Sequence, residues 1–208
     1  MNDCEKPKPA SSRWLIMITL TVFFAALTAG GAYIAFPVGP IPITMQNLFI
    51  LLSGLVLGPV TGAAAVVLYL LAGILNFPVF AMGSGGISRF TGPAGGYFAG
   101  YLFAAITAGL IAGRPKADTS VKTFQIRIII AEIAGLLVSY IPGLIWYKIR
   151  MNTDWIKTFR TGLIPFIIGD TLKGIIAVLV APGLRRIAAV FLDDENNNAG
   201  WRRKDNIP

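Results

Sequence analysis

The chain has 208 residues, of which 55% are hydrophobic and only 13% are charged, and its formal net charge is +8 at pH 7. That charged share is roughly half of what a soluble domain carries, and the 75 residues between Arg13 and Arg89 contain no Asp, Glu, Lys or Arg. This pattern excludes a soluble fold and predicts helices that cross a bilayer core about 30 Å thick.

Six hydrophobic segments predict an all-α integral membrane protein with six transmembrane helices, built as a single domain over residues 1–208 with short polar tails. The predicted spans are residues 14–36, 44–57, 60–77, 94–112, 126–147 and 161–181. Proline and glycine mark their ends, for example at Pro37, Gly58-Pro59 and Pro182-Gly183. Between the spans we expect a glycine-rich loop over 79–93 and polar connectors over 114–122 and 148–160. Residues 184–192 are predicted to form a short interfacial helix.

The basic residues are distributed unevenly between the two ends of these spans. With a cytoplasmic N-terminus, twelve of the eighteen Lys and Arg residues fall in inner segments and five in outer segments, as the positive-inside rule requires. We therefore expect a multi-pass protein of the cell (plasma) membrane with both termini cytoplasmic. Contact with anionic membrane lipid then explains the positive charge without a nucleic-acid partner. The cluster from Lys148 to Arg160 is the exception, because it is basic on the predicted outer side.

Two ionisable residues lie deep inside the sixth predicted span. Asp170 and Lys173 are three positions apart and share one helical face, and Asp170 lies roughly 14 Å from the outer end of the span. An isolated charge at that depth costs at least about 2.5–3.5 kcal/mol, so the pair must face protein or a polar cavity. It either fixes the last helix against its neighbours or lines a solute site, and we favour the solute site. Glu132 in the fifth span is expected to snorkel or to pair with a basic residue.

The strongest local pattern is the segment from Val79 to Gly100, which contains seven glycines in 22 positions. Glycine permits positive φ angles and close approach of the backbone to a ligand, and irregular backbone near a membrane is tolerated where it lines a cavity. Arg89 is the only charged residue in the segment, and its guanidinium suits a carboxylate. The chain has no P-loop, no His and one Cys, so we predict neither a nucleotide site nor a metal or other cofactor.

Together these motifs resemble the signature of the BioY family, the biotin-binding S components of energy-coupling factor (ECF) transporters. The matching elements are Phe77-Pro-Val-Phe-Ala81, Gly85-Gly86, Arg89, Gly92-Pro-Ala-Gly-Gly-Tyr97, Pro42-Ile-Thr-Met-Gln46 and Asp170-x-x-Lys173. The resemblance covers Trp14–Pro182, and it is specific because the motifs occur in combination. Ala94 departs from the pattern, since the family more usually has Thr there, and this puts one polar contact in question.

The resemblance implies an S-component-like fold and high-affinity biotin uptake, in which the chain captures biotin at the outer face and delivers it inward with an ATP-driven module. By its chemistry, Asp170 suits the ureido N–H groups of biotin, Lys173 the ureido carbonyl and Arg89 the carboxylate, although which cation takes which end stays open. The further substrate-binding candidates are Gly83, Gly85, Gly86, Asn76, Gln46 and Tyr97.

The partners implied by the resemblance are a transmembrane coupling subunit and two cytoplasmic ATPase subunits. In the first span, Ala25 and Ala29, like Ala26 and Gly30, are four positions apart, and this spacing resembles the Ala-x-x-x-Ala patch through which S components contact the coupling subunit. Small residues let helices approach closely whatever the partner is. The spacing of Ala25 and Ala29 therefore fits docking and packing within the chain equally well.

Two other classes of function are weighed against this one. An enzyme embedded in the membrane would need a second catalytic group near Asp170 or Glu132, and no span contains His or Cys, so we predict that the chain is not an enzyme. The alternative function is a self-sufficient carrier, or a binder of a related carboxylate-bearing vitamin or of a precursor such as dethiobiotin. Carriers often show an inverted repeat, and we find none convincing between residues 14–77 and 94–181.

Overall fold

The computed structural model describes residues 10–113 and 121–192. Most of both predicted polar tails lies outside these ranges, and so does most of the first connector. Side chains are described over 14–113 and 125–189.

Eight α-helices and one short β-hairpin make up the described part of the chain. The helices are α1 (Ala10–Tyr33), α2 (Gln46–Leu57), α3 (Pro59–Ile74), α4 (Ser88–Thr91), α5 (Gly95–Ala112), α6 (Val121–Met151), α7 (Trp155–Gly162) and α8 (Ile164–Leu192), and the strands are β1 (Ala35–Phe36) and β2 (Ile43–Thr44). The two strands pair antiparallel, with Ala35 opposite Thr44. This hairpin was not predicted, because four paired residues between two spans leave no periodic pattern.

Four stretches of helix are long and apolar enough to cross a membrane, judged by length and composition. They are Trp14–Tyr33, Gly95–Ala112, Gln125–Met151 and Trp155–Ala189, while α2 and α3 are shorter apolar helices. The outer surface of the bundle is rich in Ile and Leu, as on α6, where Ile130, Ile133 and Leu137 are exposed. An apolar exterior of this kind suits hydrocarbon as the surrounding solvent.

Close packing of small residues holds the helices together at the centre of the bundle. A Cβ atom built at Gly54 of α2 would come within 3.0 Å of the Ala105 backbone in α5, and one at Gly100 of α5 would come as near to Ser139 in α6. Lipid tails are as apolar as the helix surfaces, so association depends on such close approach of backbones. These contacts bring α2, α5 and α6 together around the site described below.

The last helix is longer than predicted. We expected Pro182-Gly183 to end it, yet α8 continues through Pro182 to Leu192, so residues 184–192 are not a separate interfacial helix. A proline inside a membrane helix is tolerated where neighbouring helices supply other contacts. Here Arg185, three residues later, donates hydrogen bonds to the carbonyl of Leu55 in α2 and to those of Ala112 and Gly113 at the end of α5.

The second predicted connector is also largely helical. α6 extends to Met151, and most of α7 (Trp155–Gly162) falls in the predicted polar connector 148–160. Asp154 caps the N-terminus of α7, since its carboxylate accepts the backbone N–H of Lys157 at 2.7 Å. The charged residues that suggested a connector therefore lie on the surface of a short helix.

Candidate solute-binding site

Asp170 and Lys173 form a buried ion pair in α8. Their exposed fractions are 2% and 5%, and the Lys173 Nζ lies 2.8 Å from Asp170 Oδ1. The other carboxylate oxygen accepts a hydrogen bond from the Tyr140 hydroxyl in α6 and one from Asn47 Nδ2 in α2, the latter at 3.3 Å. Three donors from three helices therefore surround Asp170, which offsets much of the cost of burying its charge.

Two buried acceptors near this pair have no hydrogen-bond partner among the described residues. They are Asn47 Oδ1 and Glu132 Oε2. Glu132 is only 4% exposed, and its other carboxylate oxygen lies 3.4 Å from the place of a Cβ on Gly174, one turn of α8 below Asp170. The expectation that Glu132 snorkels to the interface is therefore wrong, and no ion pair with a described basic residue compensates for its burial.

A cavity lies under the loop between α3 and α5, and neither Asp170 nor Lys173 is among the residues that line it. Its volume is about 80 Å³ and it is partly open to solvent, so in this structure it is smaller than the range of about 300–1,000 Å³ typical of small-molecule sites. Its lining is formed by Pro40, Ile41, Pro42, Thr44, Gln46, Phe80, Ala81, Ser84, Arg89, Gly92, Pro93, Ala94, Phe98 and Tyr101. Apolar and aromatic walls with few polar groups are what a small organic solute requires.

Two of the predicted substrate-binding residues, Arg89 and Gln46, line this cavity. Arg89 lies on the single-turn helix α4, is exposed, and forms no ion pair with the described residues, so its guanidinium is open to an anionic group. Gln46 is held within the protein, because its side-chain oxygen accepts from Thr44 at 2.7 Å and its amide donates to Tyr69. Arg89 is therefore available to a solute, whereas Gln46 is held in place and mainly stabilises the cavity wall.

The predicted glycines and Asn76 do not line the cavity. Gly86 has a φ of +90°, and its N–H donates to the carbonyl of Gly73 near the end of α3 at 2.7 Å. A Cβ on Gly85 would lie 3.0 Å from the carbonyl carbon of Phe77. The glycine run Gly83–Gly86 thus folds back on the end of α3 beside Asn76, and in this structure it shapes the loop that covers the cavity.

Tyr97 lies one layer behind the cavity wall. It is buried, and its hydroxyl donates to the carbonyl of Gly162 at the end of α7 at 2.7 Å. Its ring meets that of Tyr140 edge to face, with centroids 6.3 Å apart. Tyr97 therefore supports Tyr140, which in turn donates to Asp170.

The segment 40–44 separates the cavity from the ion pair. Pro42 and Thr44 line the cavity, whereas the side chain of Ile43 points to the opposite side, as alternation along a strand requires. The place of a Cβ on Gly169 lies 3.6 Å from Ile43 Cγ2 and 3.9 Å from Lys173 Nζ. The structure therefore brings Arg89 and the Asp170–Lys173 pair to the two sides of one short segment.

A model of the BioY family matches residues 6–190. The chain belongs to the BioY family. A relative from Pyrococcus horikoshii named "Probable biotin transporter BioY" is 38% identical over 81% of this chain and 95% of the relative. "Biotin transporter BioY" of Thermotoga maritima is 34% identical, over 79% of this chain and 92% of the relative.

Among solved structures, the fold is similar to a crystal structure of the S component for biotin from an ECF-type ABC transporter. The TM-score is 0.74 and the sequence identity is 26%, over 86% of this chain and 95% of that one. This similarity confirms the predicted fold class, an all-α membrane protein of the S-component type. Membership of the BioY family also makes the chain a component of membrane transport and not an enzyme.

The sequence of this BioY chain did not predict three polar residues of the site. Asn47 and Tyr140 donate directly to Asp170, and Tyr101 lines the cavity. Asn47 directly follows the Pro42–Gln46 motif, which is a signal that could have led to it. Tyr140 and Tyr101 gave no such signal, because a tyrosine inside an apolar span is as typical of packing as of binding.

Proposed function

We propose that this chain is a biotin-specific S component, which captures biotin on the outer side of the plasma membrane and delivers it inward with an ATP-driven ECF module. The observation that carries the proposal is the buried Asp170–Lys173 pair, which the segment 40–44 separates from a cavity with an open Arg89 at its wall. BioY relatives named as biotin transporters support the identity of the solute.

The charge of Arg89 at the cavity wall and the ion pair on the other side of the segment 40–44 match the two ends of biotin. Biotin carries a carboxylate on an apolar tail, and a ureido head with two N–H donors and one carbonyl acceptor. Arg89 is suited to hold the carboxylate through a bidentate hydrogen bond. Asp170 then accepts from the ureido N–H groups while Lys173 donates to the ureido carbonyl, and the apolar tail lies against the aromatic walls formed by Phe80 and Phe98.

Equilibrium binding of radiolabelled biotin to the purified chain in detergent tests this proposal. We expect saturable binding, strong weakening in Arg89→Ala, and loss in Asp170→Asn. Arg186→Ala, which removes an exposed charge on α8 away from the cavity, is the matched control and should bind like the parent. Normal binding in both site variants would show that the solute lies elsewhere.

Competition with dethiobiotin distinguishes biotin from a close precursor, because dethiobiotin keeps the carboxylate and the ureido group but lacks the sulfur-containing ring. We expect it to compete more weakly than biotin, since the apolar wall loses contact with the missing ring. Equal competition would widen the proposed substrate class to both compounds.

The energy for uptake is proposed to come from a transmembrane coupling subunit and two ATPase subunits, which dock on α1. Ala25 is buried against the core and Ala29 is half-buried, whereas Ala26 and Gly30 are exposed. Apart from the backbone of its own helix, no atom of the described residues lies within 4 Å of the place of a Cβ on Gly30. Of the two small-residue pairs predicted from the sequence, Ala26 and Gly30 are therefore the pair that a partner helix can reach.

Gly30→Leu tests this docking surface, because an added Cβ has open space around it within the described residues. We expect it to keep biotin binding and to lose ATP-dependent biotin uptake in cells that hold the complete module. Gly183→Leu is the matched control, since Gly183 is also a helical glycine whose added Cβ would have open space around it in the described part of the chain. Unchanged uptake in Gly30→Leu would exclude this face, and biotin uptake by the chain without the module would favour a self-sufficient carrier.

The proposed location is the plasma membrane, with both termini cytoplasmic. The unequal distribution of Lys and Arg between the two ends of the spans supports this orientation. A membrane-impermeant thiol reagent applied to intact cells tests it. Cys4, the single cysteine, should remain unlabelled until the cells are opened. Labelling in intact cells would show that the N-terminus lies outside and that the proposed orientation is wrong.

A further inference from the structure

α7 presents three different faces to its surroundings. Successive residues of a helix turn by about 100°, which places the buried Thr158 and Gly162 on one face. The next face carries Trp155, Ile156 and Phe159, which are all exposed, Ile156 at 81%. The exposed Lys157 and Arg160 follow on the third face. The helix thus rests on the protein with one face and leaves an apolar face and a basic face side by side.

The end of α6 adds two more cations close to α7 in the chain. Lys148 and Arg150 precede α7 in the chain, and the Lys148 Nζ lies 5.3 Å from the centroid of the Trp155 ring. Residues 148–162 contain four basic residues and one acidic residue, Asp154, whose carboxylate already caps α7. Within the described residues, none of the four cations forms an ion pair with a carboxylate. The positive charge of this surface is therefore uncompensated.

An exposed apolar face next to uncompensated cations is the pattern of a helix that lies in a membrane interface. Tryptophan favours the headgroup level, and Lys and Arg beside it reach lipid phosphates. α7 lies at the same end of the bundle as the cavity, since Gly162 bonds to Tyr97 at the start of α5. We propose that α7 and the end of α6 bind anionic phospholipid headgroups in the leaflet on which the solute cavity opens.

This lipid site is linked to the solute site through two hydrogen bonds and one ring contact. The carbonyl of Gly162 accepts from Tyr97 at 2.7 Å, the Tyr97 ring packs against Tyr140, and the Tyr140 hydroxyl donates to Asp170. A phospholipid that holds α7 in place therefore also supports the wall behind Asp170. The proposal itself does not depend on the identity of the solute. It also gives the basic cluster 148–160 a role on the predicted outer side.

Thermal unfolding of the purified full chain in a neutral detergent, titrated with phosphatidylglycerol or with zwitterionic phosphatidylcholine, tests the proposal. We expect phosphatidylglycerol to raise Tm and phosphatidylcholine to leave it nearly unchanged. Lys157→Gln/Arg160→Gln should lose at least roughly half of that shift, because the proposed headgroup contact loses two of its four cations. The matched control is Arg127→Gln/Arg186→Gln, which removes two exposed charges away from α7 and should keep the full shift.

Three further arms test the proposal, and two of them, Ile156→Asn and glycerol 3-phosphate, separate a lipid site from a site for free phosphate. Ile156→Asn should also reduce the shift, because it removes apolar area from the face that enters the interface. Salt at 0.5 M should reduce it in the parent protein, since screening weakens exposed charge contacts. Glycerol 3-phosphate should have no effect. An undiminished shift in Lys157→Gln/Arg160→Gln, an equal loss in the control, or the same shift with glycerol 3-phosphate would overturn the proposal.

Discussion

Replacing Asp170 by Asn separates the two roles of the buried ion pair, which are stabilisation of α8 and binding of the solute. Asn has nearly the same size as Asp and keeps one acceptor oxygen for the donors Tyr140 and Asn47. It removes the negative charge that lies 2.8 Å from the Lys173 Nζ. Lys173 is then left as an unpaired cation that is only 5% exposed.

The expected loss of stability follows from that unpaired charge. Breaking a buried ion pair by removing one partner costs about 3–5 kcal/mol, chiefly because the other charge stays buried. We expect the lower end of this range, about 3 kcal/mol, since Asn keeps part of the hydrogen-bonding network. The double variant Asp170→Asn/Lys173→Met removes both charges, and it should recover most of the lost free energy of unfolding.

Reversible unfolding in mixed dodecyl maltoside and SDS micelles measures the stability, and radiolabelled biotin measures the function. The double variant should be folded and stable but unable to bind biotin, which would assign the pair to the solute. A stable double variant that binds biotin like the parent would refute this reasoning and leave the pair a purely structural role. Unchanged stability in Asp170→Asn would show that Lys173 is not confined as the structure places it.

Two further substitutions test the buried polar groups, each by the same unfolding measurement. Arg185→Met should lower the free energy of unfolding by at least about 3 kcal/mol. The variant loses the hydrogen bonds to Leu55, Ala112 and Gly113, and hydrogen bonds from a charged donor contribute about 1.5–3 kcal/mol each. A loss below about 1 kcal/mol would contradict this prediction. Glu132→Gln should leave stability unchanged or raise it, since Glu132 Oε2 has no partner among the described residues, and a marked loss would reveal a partner that the carboxylate needs.

The sequence was most informative where a residue conflicts with its surroundings. Asp170 and Lys173 stand out because a charge in an apolar span is costly, and Arg89 stands out as the one charge in a glycine-rich loop. The partners of Asp170 were not predicted, because Asn47 and Tyr140 come from other helices. Which side chains meet across helices depends on packing and leaves no periodic signal in either segment.

Glycine and proline patterns indicated which backbone conformations the chain can adopt. They did not indicate what the glycines contact or where the last helix ends. The glycines of the 79–93 loop are predicted to approach a ligand, and in this structure Gly85 and Gly86 lie against the end of α3. Pro182 was expected to end the last helix. It lies inside α8, where Arg185 ties the following turn to α2 and α5. In both cases contacts with distant parts of the chain decide the local structure, and the local sequence carries no signal of those contacts.

The segment 40–44 determines whether one solute can reach both Arg89 and Asp170. It lies between the cavity and the ion pair, and only two residues on each strand anchor it as a β-hairpin, a pairing that is marginal on its own. A disulfide between Ile43→Cys and Gly169→Cys in a Cys4→Ser background should fix it against α8, because Ile43 Cγ2 lies 3.6 Å from the place of a Cβ on Gly169. We expect the oxidised protein to bind biotin more slowly than the same protein after reduction. Equal rates in the two states would show that a solute reaches Asp170 without displacing this segment.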